Sequence, residues 1–141
     1  MELPEKSLGG KEEMMSPEEL EYQTEQTRSF INADSVELVL VGMSTESDGR
    51  GGSKRIWNPT TGSRTVQKFR LIPRSTRNDK VDQAVASDGR IFNVEFVLLG
   101  MPDSAMVQFD RFIYFESLFE LAVVHFRPYG YQKKSDVIKV E

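Results

Sequence analysis

The segment Val94–His125 reads VEFVLLGMPDSAMVQFDRFIYFESLFELAVVH, and it decides the fold. It contains three apolar runs, which are Phe96–Met101, Phe109–Phe115 and Leu118–Phe126. The turn-forming residues Gly100–Ser104 separate the first two runs, and only Glu116–Ser117 separates the last two. Because Val, Ile, Phe, Tyr and Leu suit a pleated, half-buried surface, this pattern predicts a small antiparallel sheet.

Alternating apolar residues predict further strands on both sides of this segment. The predicted strands are Ser35–Met43, Arg64–Pro73, Ile91–Met101, Asp110–Tyr114, Leu118–Arg127 and a short last edge strand, Ser135–Val140. In the strand from Leu118, strict alternation would place Phe119, Leu121, Val123 and His125 on one face. Five or six short strands predict a mainly β fold, namely a small antiparallel β-barrel or sandwich with long loops and an N-terminal helical extension.

The N-terminal part of the chain predicts one helix and no strand. Ser16 is a suitable N-cap, Pro17 fits the first helical position, and Ser16 with Glu19 fits a capping box. We therefore predict an acidic N-terminal arm over residues 1–33, with a helix at about 17–31. Residues 34–141 would form the β-barrel domain, with long loops at 44–63 and 74–89.

Length and composition fit one domain of 141 residues. The chain has no cysteine, so it has neither a disulfide framework nor a thiolate metal site. It contains no apolar run long enough for a transmembrane helix, and MELPEK at its start is unlike a signal peptide. No membrane association is expected.

Charge is strongly segregated along the chain, although the net charge is only −4. Residues 1–37 hold ten acids and three bases, whereas residues 49–80 hold nine bases and the single acid Asp79. Asymmetry of this kind indicates an interaction surface, which could face an acidic protein or nucleic acid.

The sequence shows no pattern typical of a catalytic, metal or cofactor site. His125 is the only histidine, and its place in an apolar strand predicts a core or interface residue instead of a general base. The glycine-rich stretch DGRGGS lacks the spacing and the Lys-Ser/Thr of a phosphate-binding loop. We predict no catalytic residues, no metal ligands, no cofactor and no enzymatic activity.

The order of features resembles the stopper, or head-closure, family of head–tail connector proteins in tailed bacteriophages. A Val- and Leu-rich strand leads to the tip SDGRGGS (47–53), then to Trp57 and to a strand ending in RLIPRS (70–75). A polar loop follows. The order is completed by the stretch GRIFNVEFVLLGMPDSAM (89–106), Asp110–Phe112, a hairpin and VVHFRPYGYQK (123–133). The resemblance covers residues 34–140. The chain departs from the family at Phe109, where glycine is common, and at Glu116–Ser117, where Asp-Gly or Asn-Gly is common.

This resemblance implies a structural virion protein of the phage neck, assembled in the host cytoplasm. Such proteins form a ring, commonly of six copies, with twelve as the alternative here. The ring would lie below the portal or adaptor protein, close the head around its packaged double-stranded DNA, and bind the tail terminator or tail tube protein below. An acidic arm and a basic middle on one chain could pair head-to-tail between subunits.

Two groups of candidate residues follow. In some family members a long loop projects into the channel, and the corresponding candidates are Arg74, Arg77, Asp79, Lys80, Asp82 and Gln83. An outer loop that contacts a neighbour is the alternative for this segment. The candidate contacts to other subunits or neck partners are Arg50, Lys54, Arg55, Trp57, Glu18, Glu19 and Tyr22.

Two other functions remain open on sequence alone. One is a tail-completion or tail-terminator protein with a similar small barrel. The other is a small-barrel module that binds nucleic acid, because bases are interleaved with aromatic residues in the set Lys54, Arg55, Trp57, Lys68, Phe69 and Arg70. Packing in the core is the alternative role for Trp57 and Phe69.

Overall fold

A computed structural model describes residues 16–74, 82–125 and 130–141. In these residues the chain forms, in order, α1 (Pro17–Ala33), β1 (Val36–Leu38), β2 (Ser44–Ser47), β3 (Ser53–Ile56), α2 (Pro59–Gly62), β4 (Gln67–Pro73), β5 (Gln83–Val85), β6 (Ile91–Gly100), β7 (Arg111–Tyr114), β8 (Ser117–His125) and β9 (Lys133–Lys139). The fold is mainly β, as the sequence predicts.

The main sheet is antiparallel and nearly closes into a barrel. Its strand order is β1-β4-β6-β9-β8-β7, with β5 paired to the first half of β6. The two ends of this order meet where the backbone of Val41 exchanges hydrogen bonds of 2.8 and 2.9 Å with that of Arg111. Beyond this bridge no hydrogen bonds pair β1 with β7 in the described part of the chain, although Cα atoms of the two strands come within 8 Å, so the ladder of hydrogen bonds has a gap. We call this gap the seam.

The last strand occupies a different place from the one predicted. The sequence suggests an edge strand at Ser135–Val140, but β9 lies in the middle of the sheet between β6 and β8. Val137 and Ile138 are fully buried there, as is Ser135. The lysines and the aspartate of β9 make the strand look solvent-facing, yet charged side chains on one face of a strand do not determine how many neighbours its backbone has.

Two bulges divide the core into two clusters. The pairing register shifts between Val94 and Phe96 in β6 and between Leu121 and Val123 in β8. The barrel interior is formed by Leu38, Leu40, Phe69, Leu98, Met106, Phe112, Phe119, Leu121 and Val137. A second cluster lies where β5 covers the other face of the sheet, and it consists of Ala84, Ala86, Val94, Ala122 and Ile138.

The bulge in β8 makes the predicted face of His125 wrong. An extra residue in a strand reverses the facing of every side chain after it. Val124 therefore packs against the barrel interior, Val123 is exposed, and the side chain of His125 is 50% exposed. His125 lies 3.6 Å from the carboxylate of Asp136, so it is a surface residue and not a core residue.

The predicted helix is confirmed and is two residues longer than expected. The Ser16 hydroxyl accepts a hydrogen bond of 3.1 Å from the Glu19 amide, and the Glu19 carboxylate accepts one from the Ser16 amide, which completes the capping box. Only Thr27 and Ile31 are buried in α1. The helix rests on β4, where the Arg70 guanidinium lies 3.8 Å from the centre of the Phe30 ring.

The predicted loops are wrong in their described parts. Residues 44–63 contain the β2–β3 hairpin and the short helix α2, and residues 82–89 of the second loop contain β5. Residues 75–81 lie outside the described residues. Serine, lysine and glutamate weaken the strand signal of β2 and β3, but the tip is correctly predicted, since Gly49 and Gly51 have positive φ.

The turn between β7 and β8 lies one residue before its predicted position. Tyr114 pairs with Ser117, so the two turn residues are Phe115 and Glu116, with φ of 49° and 64°. Two consecutive residues with positive φ are typical of a type I′ hairpin turn, which favours Asn-Gly. A β-hairpin therefore forms here with a bulky residue in a left-handed conformation.

We expect the double substitution Phe115→Asn and Glu116→Gly to stabilise the protein. It would relieve about 1 to 2 kcal/mol of backbone strain, because asparagine and glycine adopt left-handed conformations readily. Urea denaturation would measure the gain in the free energy of unfolding. The matched control is Phe115→Ala with Glu116→Ala, which keeps both Cβ atoms; an equal gain in that control would contradict the strain argument.

Candidate assembly surfaces

Two adjacent residues, Asp110 and Arg111, hold together the parts of the chain around the seam. The Asp110 carboxylate, 1% exposed, receives two hydrogen bonds from the Arg64 guanidinium, at 2.7 and 2.8 Å. It also accepts a bond of 3.2 Å from the Val107 amide. The hydrogen bond to Asp110 raises the pKa of Arg64, against the opposing effect of partial burial. This contact anchors the segment before β4 to the segment before β7.

Arg111 forms the second buried ion pair. Its Nε donates to the Glu120 carboxylate at 2.9 Å, and Glu120 is fully buried. The amide and the hydroxyl of Ser87 also donate to Glu120, at 2.8 and 3.0 Å. The turn after β5 is thereby fastened to β8, and every oxygen of the buried carboxylate has a partner.

Trp57 covers this network instead of forming an exposed platform. Its ring lies 3.5 Å below the Arg111 guanidinium, and its Nε1 donates to the Phe109 carbonyl at 2.7 Å. Phe109 has a φ of 74°, a left-handed backbone conformation that is usually adopted by glycine. Trp57 is therefore half-buried, and part of it lines the seam.

Close backbone contact completes the arrangement. The Gly42 amide donates to the Gly62 carbonyl at 2.9 Å, and a Cβ added to Gly42 would lie 2.9 Å from Nη2 of Arg64. A side chain at this position would push the guanidinium away from Asp110. At Gly62 the contact is with backbone: a Cβ added there would lie 2.9 Å from the Gly42 carbonyl oxygen, so glycine is needed at that position for close approach.

The predicted partner contacts Arg50, Lys54 and Arg55 all lie on the β2–β3 hairpin. This hairpin forms its own two-stranded sheet, and its strand residues are exposed except for the half-buried Ile56. Lys54 lies 3.8 Å from Glu46 across the strands. Across the described ranges, neither Arg50 nor Arg55 forms an ion pair.

The other predicted contacts lie on the first turns of α1. Glu18, Glu19 and Tyr22 are exposed there. Within the described parts of one chain, no hydrogen bond or ion pair joins them to the basic hairpin. The two sets are therefore separate surfaces of one subunit, of opposite charge.

The candidate channel residues are only partly described. Arg74 and Asp82 form an ion pair at the two ends of the 75–81 segment. Together with Gln83 they line a polar cleft of about 800 Å³, which also contains His125, Lys134 and Asp136. Arg77, Asp79 and Lys80 lie outside the described residues. Sequence reasoning did not connect His125 or Asp136 with this cleft, because β9 was expected at an edge.

The seam is an apolar opening that sequence reasoning missed. It is a groove of about 530 Å³, and its walls include Val39, Val41, Trp57, Ile113 and Leu118. Val39 and Ile113 are 43% and 69% exposed. Alternation alone could indicate that these two side chains face outward, but it could not show that their strands remain unpaired.

The described ranges contain no group of three or more acidic or histidine side chains suited to a metal ion. In the same ranges, no helix is long and apolar enough to span a membrane. Comparison with known protein families and with curated proteins finds no match for this chain. The described chain forms a nearly closed antiparallel β-barrel. It carries an acidic helix and a hairpin in which three bases, Arg50, Lys54 and Arg55, outnumber two acids, Glu46 and Asp48.

Loss of the buried ion pair should destabilise the barrel strongly. We expect Asp110→Ala to lower the free energy of unfolding by about 3 kcal/mol, because it leaves the Arg64 guanidinium partly buried without its carboxylate. Urea denaturation would measure this change. The matched control, Glu46→Ala, removes an exposed pair and should cost less than about 1 kcal/mol. Equal effects of the two substitutions would show that the buried pair does not stabilise the fold.

Proposed function

We propose that this protein is a structural subunit of a bacteriophage neck. In this proposal several copies form a ring below the portal or adaptor protein, the ring closes the DNA-filled head, and the tail attaches to it. The resemblance to stopper proteins supports the identity of the assembly. The arrangement of a rigid barrel with two oppositely charged outer elements supports ring formation.

The observation that carries the proposal is that α1 and the β2–β3 hairpin are weakly supported within a single chain. An isolated two-stranded hairpin is marginally stable in water. A helix with only Thr27 and Ile31 buried likewise obtains little stabilisation from its own barrel. Both elements would gain order and buried surface by contacting a neighbouring subunit.

Their charges favour a head-to-tail contact. The first half of α1 presents Glu18 and Glu19, and the hairpin presents Arg50 and Arg55 without acidic partners in the described chain. When two different surfaces of one subunit are complementary, each copy binds the next, and the series closes into a ring if the rotation allows it. Electrostatic complementarity would also select the correct partner and register.

Mass photometry and negative-stain imaging of the purified protein, alone and with DNA-filled capsids, would test the proposal. We expect rings, and we expect them at the portal vertex. Binding to tail-tube ends and not to capsids would favour a tail-completion protein instead. A protein that remains monomeric, ignores capsids and binds oligonucleotides with strong salt dependence would overturn the neck assignment in favour of a nucleic-acid module.

Ring formation should depend on salt and on charge. Raising the salt concentration from about 0.1 M to about 1 M shortens the Debye length from about 10 Å to about 3 Å, so we expect fewer rings. The triple reversal Arg50→Glu, Lys54→Glu and Arg55→Glu should abolish them at low salt. Mass photometry would count rings and monomers under each condition.

A charge swap provides the matched control. Glu18→Lys with Glu19→Lys should weaken assembly when introduced alone, and it should restore rings when combined with the hairpin reversal. Restoration would show that the two surfaces contact each other. Unchanged ring formation at high salt, or in the hairpin variant, would show that charge pairing does not hold the ring together.

A further inference from the structure

The tetrapeptide Ser-Asp-Gly-Arg occurs twice in this chain, at residues 47–50 and 87–90. These two copies hold the only Asp-Gly pairs of the sequence, which has no Asn-Gly pair. In both copies the aspartate is exposed and the glycine has a positive φ, of 79° at Gly49 and 86° at Gly89. The same local sequence therefore lies in two surroundings, and the surroundings decide how the two copies differ in reactivity.

An Asp-Gly pair is prone to a spontaneous rearrangement of the backbone. The glycine amide nitrogen attacks the side-chain carboxyl carbon of the aspartate, and glycine has no Cβ to obstruct the attack. A C–N bond forms, the carboxyl C–O bond breaks, and the amide proton and the hydroxyl group leave as one water molecule, which gives a five-membered succinimide. Water then adds to the succinimide, and opening at the main-chain carbonyl leaves isoaspartate, in which the chain runs through the former side chain.

The first copy lies at the tip of the β2–β3 hairpin. In the described residues, these two strands pair with each other and with no other strand. One carboxylate oxygen of Asp48 accepts hydrogen bonds of 2.7 and 3.1 Å from the amides of Arg50 and Gly52, and the Gly49 amide donates at 3.2 Å to the Ser47 hydroxyl. All these bonds lie within the tip, so they are lost whenever the marginally stable hairpin opens.

The second copy is fastened to the barrel. The amide and the hydroxyl of Ser87 both donate to the fully buried Glu120, and the Ala86 amide donates to the Arg90 carbonyl at 2.8 Å. The Gly89 amide donates to the Ala86 carbonyl at 3.0 Å, so the attacking nitrogen is held in a backbone hydrogen bond. Opening this turn would leave a buried carboxylate with fewer partners, which makes the opening rarer than that of the hairpin.

The carboxylate of the second copy is also held in its less reactive form. Arg90 donates to the two oxygens of Asp88, from its backbone amide at 3.0 Å and from Nε at 2.6 Å. These bonds lower the pKa of Asp88, with the backbone amide as the largest cause. The attack proceeds on the protonated carboxylic acid, which can release its hydroxyl group as water, so a lowered pKa slows it. In the described chain, the Arg50 guanidinium forms no corresponding bond to Asp48.

We propose that Asp48 is a site of isoaspartate formation and that Asp88, in the same tetrapeptide, is protected by its anchored turn. The product adds one carbon atom to the backbone at the hairpin tip and moves the carboxylate away from the Arg50 and Gly52 amides. The chemistry does not depend on the neck assignment.

Peptide mapping of the full-length protein, after several weeks at neutral pH and physiological temperature, tests the proposal. The protein is kept at a concentration and salt at which mass photometry finds no rings, because a neighbouring subunit on the hairpin would restrict its opening. Electron-transfer fragmentation distinguishes isoaspartate from aspartate at each position. We expect at least about five-fold more isoaspartate at residue 48 than at residue 88. Equal amounts, or more at residue 88, would overturn the proposal.

The unfolded chain provides the reference for local sequence. In guanidinium chloride both copies lose their surroundings, and we expect the amounts of isoaspartate at residues 48 and 88 to agree within about two-fold. If residue 48 kept its full advantage in the unfolded chain, neighbouring sequence and not the fold would set the difference, and the protective role of the anchored turn would be wrong.

Matched arginine variants examine the contacts in the folded protein. Arg90→Ala removes the Nε bond to Asp88 and should raise isoaspartate at residue 88 several-fold, whereas Arg50→Ala should leave residue 48 unchanged within about two-fold. Both arginines are exposed, so circular dichroism should show a retained fold. If Arg90→Ala had no effect on residue 88 and Arg50→Ala slowed the reaction at residue 48, these contacts would not control the reaction and the proposal would fail.

An effect on assembly rests on the proposed function and has its own measurement. If the hairpin contacts a neighbouring subunit, protein that carries isoaspartate at residue 48 should form fewer rings than fresh protein in mass photometry. Asp48→Glu should keep its assembly over the same time, because its cyclic imide would have six members and forms far more slowly. Undiminished assembly of the modified protein would contradict the role of the hairpin in the ring, while the isoaspartate found by peptide mapping would still establish the site.

Discussion

The barrel depends on the point where its two ends meet, at Asp110 and Arg111. The backbone of Arg111 closes the sheet on Val41, and the side chains of the two residues reach in different directions to Arg64 and to Glu120. Removing charges from water costs several kcal/mol per ion, and satisfied hydrogen bonds offset that cost only when the geometry is good. Here both carboxylates also accept bonds from backbone amides. The same two residues thus fix the closure and keep it to a single point of contact.

Because the barrel closes at one point, its strands differ in how fully they are paired. β4, β6, β9 and β8 are paired on both edges, so they form the rigid part of the sheet. β1 and β7 are paired on one edge each, and beyond the bridge no hydrogen bonds join them in the described residues. The hairpin and α1 lie outside the paired strands. The elements with the least support from the sheet are therefore β1, β7, the hairpin and α1.

The sequence predicts the mainly β fold, the N-terminal helix and most strand positions, because these follow from apolar periodicity and local capping. It does not predict the place of β9, since pairing partners are set by contacts distant in sequence. The sequence also does not predict which face of β8 carries His125, because the bulge that reverses the alternation has no strong local signal. Packing was one of two roles expected for Trp57, and its half-buried ring does pack on Arg111. Its hydrogen bond to the carbonyl of Phe109, a residue with positive φ, has no signal in the sequence. The seam could not be predicted, because an unpaired edge is a property of the whole sheet.

The exposed Phe115 shows how local strain and surface chemistry are connected in this protein. A left-handed phenylalanine costs backbone energy, and its exposed ring gains nothing from burial within the described chain. Asn-Gly would form the same turn with less strain, so the turn geometry alone does not require these side chains. The Phe115 ring does contact the ring of Tyr114, with 4.5 Å between the two ring centroids. The strained turn is therefore held by the β7–β8 pairing on either side of it, because the register that places Tyr114 opposite Ser117 leaves two residues to make the turn.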